Sequence, residues 1–529
     1  MRKRLTSGIR AGSGGGVRAA GGGRGRTLVL SLAAAAAALA VVASASAGAA
    51  RSSGAEVLNW GGIALPTTWD PVTSSAGNDF LSLGLVYAGL TELDPHGNVI
   101  PALATSWKFV DNGLGLEFTL RKGVTFTDGA PFNADAVKAN ILRGQQPASE
   151  IAPQLATIKS MTILGPYVIK FNLSSLDYGL PLRLAGKTGE MVSPKAIATN
   201  AAGVSTQPDG AGPFELTKYV PGTSATLVRN PNYWDAKDIH ITQLNMLEIT
   251  DPETLLAALQ TGQVNVASLA GASANAAIAA GFKVKVVPSL AVASIEVNSA
   301  MTPFQDPRVV EAINYALDRA ALKQTYNAGI GGVDDEPFPA GYVGYSKSVA
   351  NYYTYDPAKA KQLLAAAGDS SNLNITISYF PYGLYPAVAQ QIQGELQAVG
   401  INSTLTTIPL AEAAEDVYVL HDVAFNPNGI VGRESPLQML DIQYAADGLL
   451  NPCRCADADL TKALALAASY PLTSPQYVTA LQNATALAVK ESANMFLFTL
   501  PHIYAYNPSI VHGWRNDIDE PRLEGVTVS

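Results

Sequence analysis

Residues Thr119–Ala136, TLRKGVTFTDGAPFNADA, set down a strand end, a tight turn and a helix start in quick succession. Glu117-Phe118-Thr119-Leu120-Arg121 alternates apolar with polar side chains, the pattern of a half-buried strand. Phe126-Thr127-Asp128-Gly129 then reads as a turn, with Asp bonding its own backbone and Gly taking the left-handed site. Asn133 is the expected N-cap of a helix over Ala134–Leu142, with Val137 and Ile141 on one face.

Strand-like and helix-like segments continue to alternate along the chain, which reads as an α/β fold. A buried strand is expected from Val57 to near Ile63, and Asn78–Leu90 has helical spacing with Phe80, Leu83 and Tyr87 on one side. Asp306-Pro307 starts a helix whose stripe is Val310, Ile313 and Leu317, with Gly329 beyond its end. Asp356-Pro357 repeats the device before Leu363, Leu364 and Ala367, and Gly368 is the stop. At 529 residues the chain is too long for a single core. No internal repeat and no long Pro/Gly/Ser linker separates its parts, so short crossings at a hinge are expected. Val286–Ser294 and Phe496–Tyr506 are the candidates.

Charge is unevenly spread. Residues 1–50 hold seven basic side chains and no acid, leaving 28 basic against 43 acidic residues in the remainder, a charge of −15. An acidic body argues against nucleic acid as partner, because neutralising phosphates with Lys and Arg supplies most of that affinity. The basic lead precedes the apolar run Thr27–Val42, TLVLSLAAAAAALAVV, which is shorter than the about twenty residues a membrane span needs. A secretory signal with a basic leader over residues 1–49 is therefore expected, cleaved after Ala47-Gly48-Ala49, Ala43-Ser44-Ala45 or Ala45-Ser46-Ala47. A retained anchor is the alternative.

Four further stretches follow in order. They are Gly210–Trp234 (GAGPFELTKYVPGTSATLVRNPNYW), Glu248–Ala267, Asn298–Arg319 (NSAMTPFQDPRVVEAINYALDR), and the pair Tyr355–Gly368 with Gly394–Ile401. Together with Thr119–Ala136 and the preceding Pro101-Ala102-Leu103-Ala104-Thr105-Ser106-Trp107, this series resembles the family 5 extracytoplasmic solute-binding proteins, receptors of oligopeptide, dipeptide and nickel ABC importers. The motifs themselves read mainly as scaffold. Arg229-Asn230-Pro231 directs a strand into a turn, Tyr233 and Trp234 bury aromatic area beneath it, and Gly212 and Gly222 suit positive φ or close backbone approach.

The resemblance implies a two-lobed periplasmic-binding-protein fold, type II-like, joined by a hinge. Lobe one is expected over 55–290 with an inserted subdomain at about 92–207, lobe two over 291–497, and a return to lobe one over 498–529. It further implies a non-enzymatic, monomeric receptor that encloses a peptide or peptide-like solute and delivers it to the membrane permease subunits. A glycan fragment or metal chelate is the alternative ligand. The chain would act in the periplasm or at the cell surface. The lipid-anchoring Cys that many such receptors carry after the apolar run is not seen here, the cysteines being Cys453 and Cys455.

In peptide-binding members a lobe-two aromatic and carboxylate hold the ligand's ammonium, which needs a charged partner when buried. The matching stretch is Asp422–Pro436, DVAFNPNGIVGRESP, where Gly432 or Val431 falls at the acid's place and Pro427 and Asn428 near the aromatic's. Arg433 could instead pair an anionic group through its forked guanidinium, with Glu434 beside it. Asn426 and Asn428 offer donors and acceptors to a polar ligand. The aromatics Tyr379, Phe380, Tyr382 and Tyr385 either stack on a ligand or line the lobe, and Trp69 is either a contact or a core residue under the Pro66–Pro71 turn.

No metal or cofactor is expected. The five His are scattered, with no two spaced three or four apart, and Cys453-Arg454-Cys455 is too isolated for zinc. That pair forms either a tight local disulfide, labile for its small ring, or two buried thiols. A secreted hydrolase is the reading from another class, but no G-x-S-x-G elbow, H-E-x-x-H or Walker loop is present. Asp334-Asp335-Glu336 reads as a solvated loop.

Overall fold

The computed structural model describes residues 56–74, 79–333, 335–368, 373–381, 383–409, 415–433, 435–446, 448, 450–491, 494–517 and 520–529. The expected signal and leader at 1–49 lie outside them. Residues 56–529 form one compact unit built on two principal sheets.

The first sheet has seven strands in the order Lys283–Val287, His502–Tyr506, Val266–Ser268, Val57–Gly61, Gln243–Leu247, Ser224–Arg229 and Phe214–Val220. Val57–Gly61 runs parallel to both its neighbours. Leu58 and Trp60 share one face and are buried, with Asn59 half-buried on the other, and Trp60 meets Tyr504 and Trp514 edge-on at 5.8 and 5.3 Å. A four-stranded antiparallel sheet, Ala104–Val110, Gly115–Leu120, Val168–Leu173 and Ile158–Gly165, makes a separate core with Phe118, Phe126, Phe132 and Phe171. Asn133 caps helix Ala134–Gly144 through Ala136 N–H at 3.0 Å.

The second principal sheet sets Val292–Val297 between Phe425–Ile430 and Met495–Thr499, antiparallel to both. The parallel pair Asn374–Tyr379 and Asn402–Thr407 runs beside Phe425–Ile430. Helices Pro307–Ala316, Arg319–Asn327, Pro357–Ala367, Tyr385–Ala398, Pro436–Tyr444, Ala458–Ala468 and Pro475–Glu491 surround it. Asp306 and Asp356 cap their helices, Pro follows each, and Gly368 ends its helix at φ 89°.

Residues 288–291 and 500–501 carry the chain from one sheet to the other. They are stitched side by side: Leu500 N–H donates to Ala291 O at 2.9 Å, and Ser289 Oγ–H donates to Leu500 O at 2.7 Å. So short a pair of crossings acts as a hinge because few dihedrals absorb all the relative motion.

Three expectations are corrected. The helix from Asp306 does not run on toward Gly329. It breaks after Ala316, because Asp318 turns its carboxylate to Ala321 N–H at 3.0 Å and caps a second helix. The helix expected over Asn78–Leu90 is only Phe80–Leu83 among the described residues, because Leu85 O and Val86 O accept from Phe214 and Gly212 N–H, both at 2.9 Å. Asp335 and Glu336 are not solvated. Asp335 pairs with the buried Arg319 at 3.0 Å, and Glu336 accepts Ser346 N–H at 2.6 Å.

The Arg229-Asn230-Pro231 turn is held by the buried Asn230, whose Nδ2 donates to Gly212 O at 2.9 Å and whose Oδ1 accepts Asn232 N–H at 2.9 Å. A side chain at Gly212 would sit 2.5 Å from the Val86 carbonyl carbon, so the position requires close backbone approach. Beneath the turn Arg121 lies 3.9 Å from the centre of the Trp234 ring.

Candidate ligand-binding site

In the second sheet Ser294 lies opposite Asn428, and Glu296 opposite Asn426. Cross-strand partners share a face, so four polar side chains stand together on one side of an otherwise apolar strand pair. Glu296 is 1% exposed, and its carboxylate accepts from Tyr418 Oη–H at 2.8 Å, Asn428 Nδ2 at 3.1 Å and Asn426 Nδ2 at 3.3 Å. Burial pushes the Glu296 carboxyl up to about 7, against the pull of those donors. Burial, and then the Glu296 charge, push the Tyr418 phenol above its ordinary value. Ser294 Oγ and Asn426 Oδ1 are buried with no hydrogen-bond partner among the described residues.

The end of Phe425–Ile430 leads this polar face onto the hinge. A β-carbon at Gly429 would meet Tyr385 Oη at 3.1 Å and Leu500 Cδ1 at 3.6 Å. Gly432 abuts Leu290 of the other crossing. Arg433 is half-buried, and its Nη1 donates to Val431 O and Gly432 O, both at 3.0 Å. Among the described residues no carboxylate pairs with it.

Ser435 then caps helix Pro436–Tyr444, accepting Gln438 N–H at 3.2 Å, and faces a cavity of about 370 Å³. Ser435, Gln438 and Asp441 line one wall of that cavity. Gln154, Asp177 and Arg183 line the other. Asp177 and Arg183 are ion-paired, and Arg183 Nε also donates to Gln154 O at 3.3 Å. The space therefore opens between the helices of the second sheet and the part built on the four-stranded sheet.

Of the residues singled out from sequence, Asn426 and Asn428 converge on Glu296, Tyr385 lies against Gly429 of the same strand, and Arg433 follows in the loop after that strand. Tyr382 and Glu434 lie outside the described residues. Trp69 is fully buried, edge-on to Tyr219 at 5.9 Å, and its carbonyl accepts Tyr87 Oη–H at 2.8 Å; this is a core position. Phe380 is buried against Tyr385 at 5.5 Å between ring centres, and Tyr385 meets Tyr326 at 6.1 Å, so these aromatics pack on one another. Glu296 and Tyr418 escaped sequence reading. A lone acid in the apolar run VASIEV was the available signal for Glu296, whereas Tyr418 carried none.

Comparison with known proteins places these features. The description "bacterial extracellular solute-binding proteins, family 5 Middle" matches residues 98–430. The chain is 30% identical over 359 residues to the glutathione-binding protein GsiB of Salmonella choleraesuis strain SC-B67, covering 66% of this chain and 69% of that one. Its fold is similar to that of DppA from Helicobacter pylori in complex with the peptide STSA, at a TM-score of 0.77 and 22% identity over 89% of this chain and 98% of that one. It is also similar to NikA from Brucella suis in complex with Fe(III)-EDTA, at a TM-score of 0.79 and 21% identity over 89% and 100%. The hinged pair of α/β lobes, with a polar loop set against the hinge, belongs to a bacterial extracellular solute-binding protein of family 5.

Proposed function

We propose that this chain is the extracytoplasmic receptor of an ABC importer, capturing a peptide or peptide-like solute between its lobes and passing it unchanged to the permease. One observation carries the reading. Arg433, bonded among the described residues to carbonyls of its own loop, stands between Gly432 at the hinge and Ser435 at the wall of the interlobe cavity. A guanidinium so placed offers its remaining N–H groups to a carboxylate, and peptides carry one at their C-terminus. The peptide and glutathione in the names of the relatives agree with that class. The chelate bound by NikA is also rich in carboxylates, so a metal chelate is the second reading.

Asn428 and Tyr385 are the neighbouring contacts in this proposal, with Tyr382 and Glu434 beside them in sequence. Asn426 acts from beneath, and Trp69 supports lobe one from its core. The lobes are assigned as 55–290 with an insertion at about 92–207, then 291–497, with 498–529 returning to the first. The protein acts as a monomer outside the cytoplasmic membrane. Among the described residues no helix is long and apolar enough to cross a membrane.

Mass spectrometry of compounds that copurify with the mature protein identifies the ligand, and a ligand-dependent rise in melting temperature with chemically unchanged ligand on recovery tests the role. Arg433→Ala is expected to weaken a carboxylate-bearing ligand by roughly tenfold or more, and Glu434→Gln to change affinity only for a cationic one. A ligand recovered cleaved or otherwise transformed would refute the receptor reading.

A further inference from the structure

Besides the two covalent crossings, a third contact joins the lobes at the hinge. Helix Gly271–Ala279 packs on the first sheet, and its N-cap Ala270 supplies no side-chain acceptor. The acceptor comes instead from lobe two, where Asn327 Oδ1 takes the Gly271 N–H at 3.1 Å. Asn327 is buried and is the last residue of helix Arg319–Asn327. A β-carbon at Gly271 would lie 2.2 Å from Asn327 O, so the two helix ends meet backbone to backbone.

Residues 328–332 extend this contact as a strap. Ala328 turns at φ 50°, a left-handed conformation that alanine rarely takes, and Asn327 Nδ2 donates to Ile330 O at 2.9 Å. Ile330 packs against the lobe-one cluster that includes Leu255, Leu259, Leu269 and Ile503. Lys323 Nζ donates to Gly331 O at 2.9 Å, and Gly332 N–H donates to Thr499 Oγ1 at 3.1 Å. A β-carbon at Gly331 would stand 2.6 Å from Thr499 O and 3.1 Å from Pro501 Cδ. The strap therefore runs directly beside the crossing at 500–501.

Two features make this contact a pivot rather than a clasp. Points close to a rotation axis move least, and the strap touches one of the two crossings through which that axis must pass. Breaking the contact would also cost the buried Gly271 N–H and Asn327 amide their partners. We infer that Asn327 pins the lobes at a third point that stays made in the open and closed forms, confining closure to rotation about the hinge. The inference takes its purpose from the receptor reading, but its tests use no ligand, so either can fail without the other.

Amide-resolved hydrogen exchange on the unaltered chain is the first test. Protection at Gly271 is expected to lie within roughly fivefold of that at Leu269, whose N–H donates to Ile503 O at 2.8 Å inside lobe one. A larger deficit at Gly271 would show a contact that opens with the lobes, and would overturn the pivot. Spin labels at Leu142→Cys in the insertion and Leu466→Cys in lobe two, both exposed positions, then report the spread of interlobe distances, with the Cys453–Cys455 disulfide left intact. Asn327→Ala is expected to broaden that spread and to speed Gly271 exchange by roughly fivefold. Asn327→Asp keeps an acceptor and places a carboxylate at a helix N-terminus, so it should retain the wild-type spread. Equal spreads for wild type and Asn327→Ala, or an Asn327→Asp spread as broad as that of Asn327→Ala, would each overturn the inference. Should a variant fail to fold, exchange in the unaltered chain decides.

Discussion

A β-carbon at Gly432 would stand 2.1 Å from the β-carbon of Leu290 and 2.5 Å from the Leu290 carbonyl oxygen. The loop that carries Arg433 is thus pressed against the hinge with no room for a side chain between them. Gly432→Ala forces one of the two backbones to move, and overpacking of this kind costs about 1–3 kcal/mol. Urea unfolding reads that loss directly. Gly394→Ala, in helix Tyr385–Ala398 with open space around the position, should instead stabilise by about 0.5–1 kcal/mol. Equal midpoints for Gly432→Ala and wild type would show that the loop and the hinge are not in contact.

Arg319 is held at five points inside the second lobe. Its guanidinium meets Asp335 at 3.0 Å, Phe496 O at 2.8 Å, Asn314 O at 3.0 Å, Asn314 Oδ1 at 2.7 Å and Tyr353 O at 3.4 Å. Removing one member of a buried ion pair leaves a charge in a dry site, at about 3–5 kcal/mol. Arg319→Ala is therefore expected to lower the unfolding midpoint sharply. Arg319→Lys should recover only part of the loss, since an ammonium cannot reach all of those acceptors. Full recovery by Lys would contradict this account.

Glu296 makes stability depend on pH. Its folded-state value of about 7 lies above the 4.5 of an unperturbed Glu, so the native state holds this proton more tightly than the unfolded chain. The resulting stabilisation is fully present below pH 4.5 and is lost as pH rises through about 7, a difference of about 3 kcal/mol. Unfolding midpoints of wild type and Glu296→Gln should therefore diverge between pH 5 and about 8, with the variant gaining relative to wild type. Glu395, also raised to about 7 chiefly by burial, titrates in the same window, so Glu395→Gln is the necessary companion. Parallel curves for wild type and Glu296→Gln would show that this carboxyl does not titrate there.

Tyr418→Phe removes one of the donors that oppose the effect of burial on Glu296. The pH at which the Glu296 contribution is lost should then move upward by up to about one unit. A downward shift would mean that the phenol was not donating to the carboxylate.

Much of the scaffold was legible because it rests on local chemistry. Asn133, Asp306 and Asp356 cap helices where their side chains can reach a nearby N–H, and Asn230 makes its turn from its own amide. Trp69 and Arg433 were ambiguous for one reason. An indole after a strand and an Arg in a polar loop can each face inward or outward, and only the surrounding chain decides. Asp335 and Glu336 misled because an acidic run is ordinarily solvated. Their partners Arg319 and Ser346 approach from other segments of the fold.

By itself the sequence determined the α/β periodicity, the capped helices, the turns, and the family whose motifs they compose, since each follows from residues within a few positions of one another. Only the tertiary structure decided that Glu296 lies under Tyr418, Asn426 and Asn428, that Gly432 rests on Leu290, and that the Arg454 turn grips His421. These relations join residues that meet through sheet register and a double crossing. Register and crossing are set by how whole elements bury their apolar faces, which no local stretch of sequence encodes.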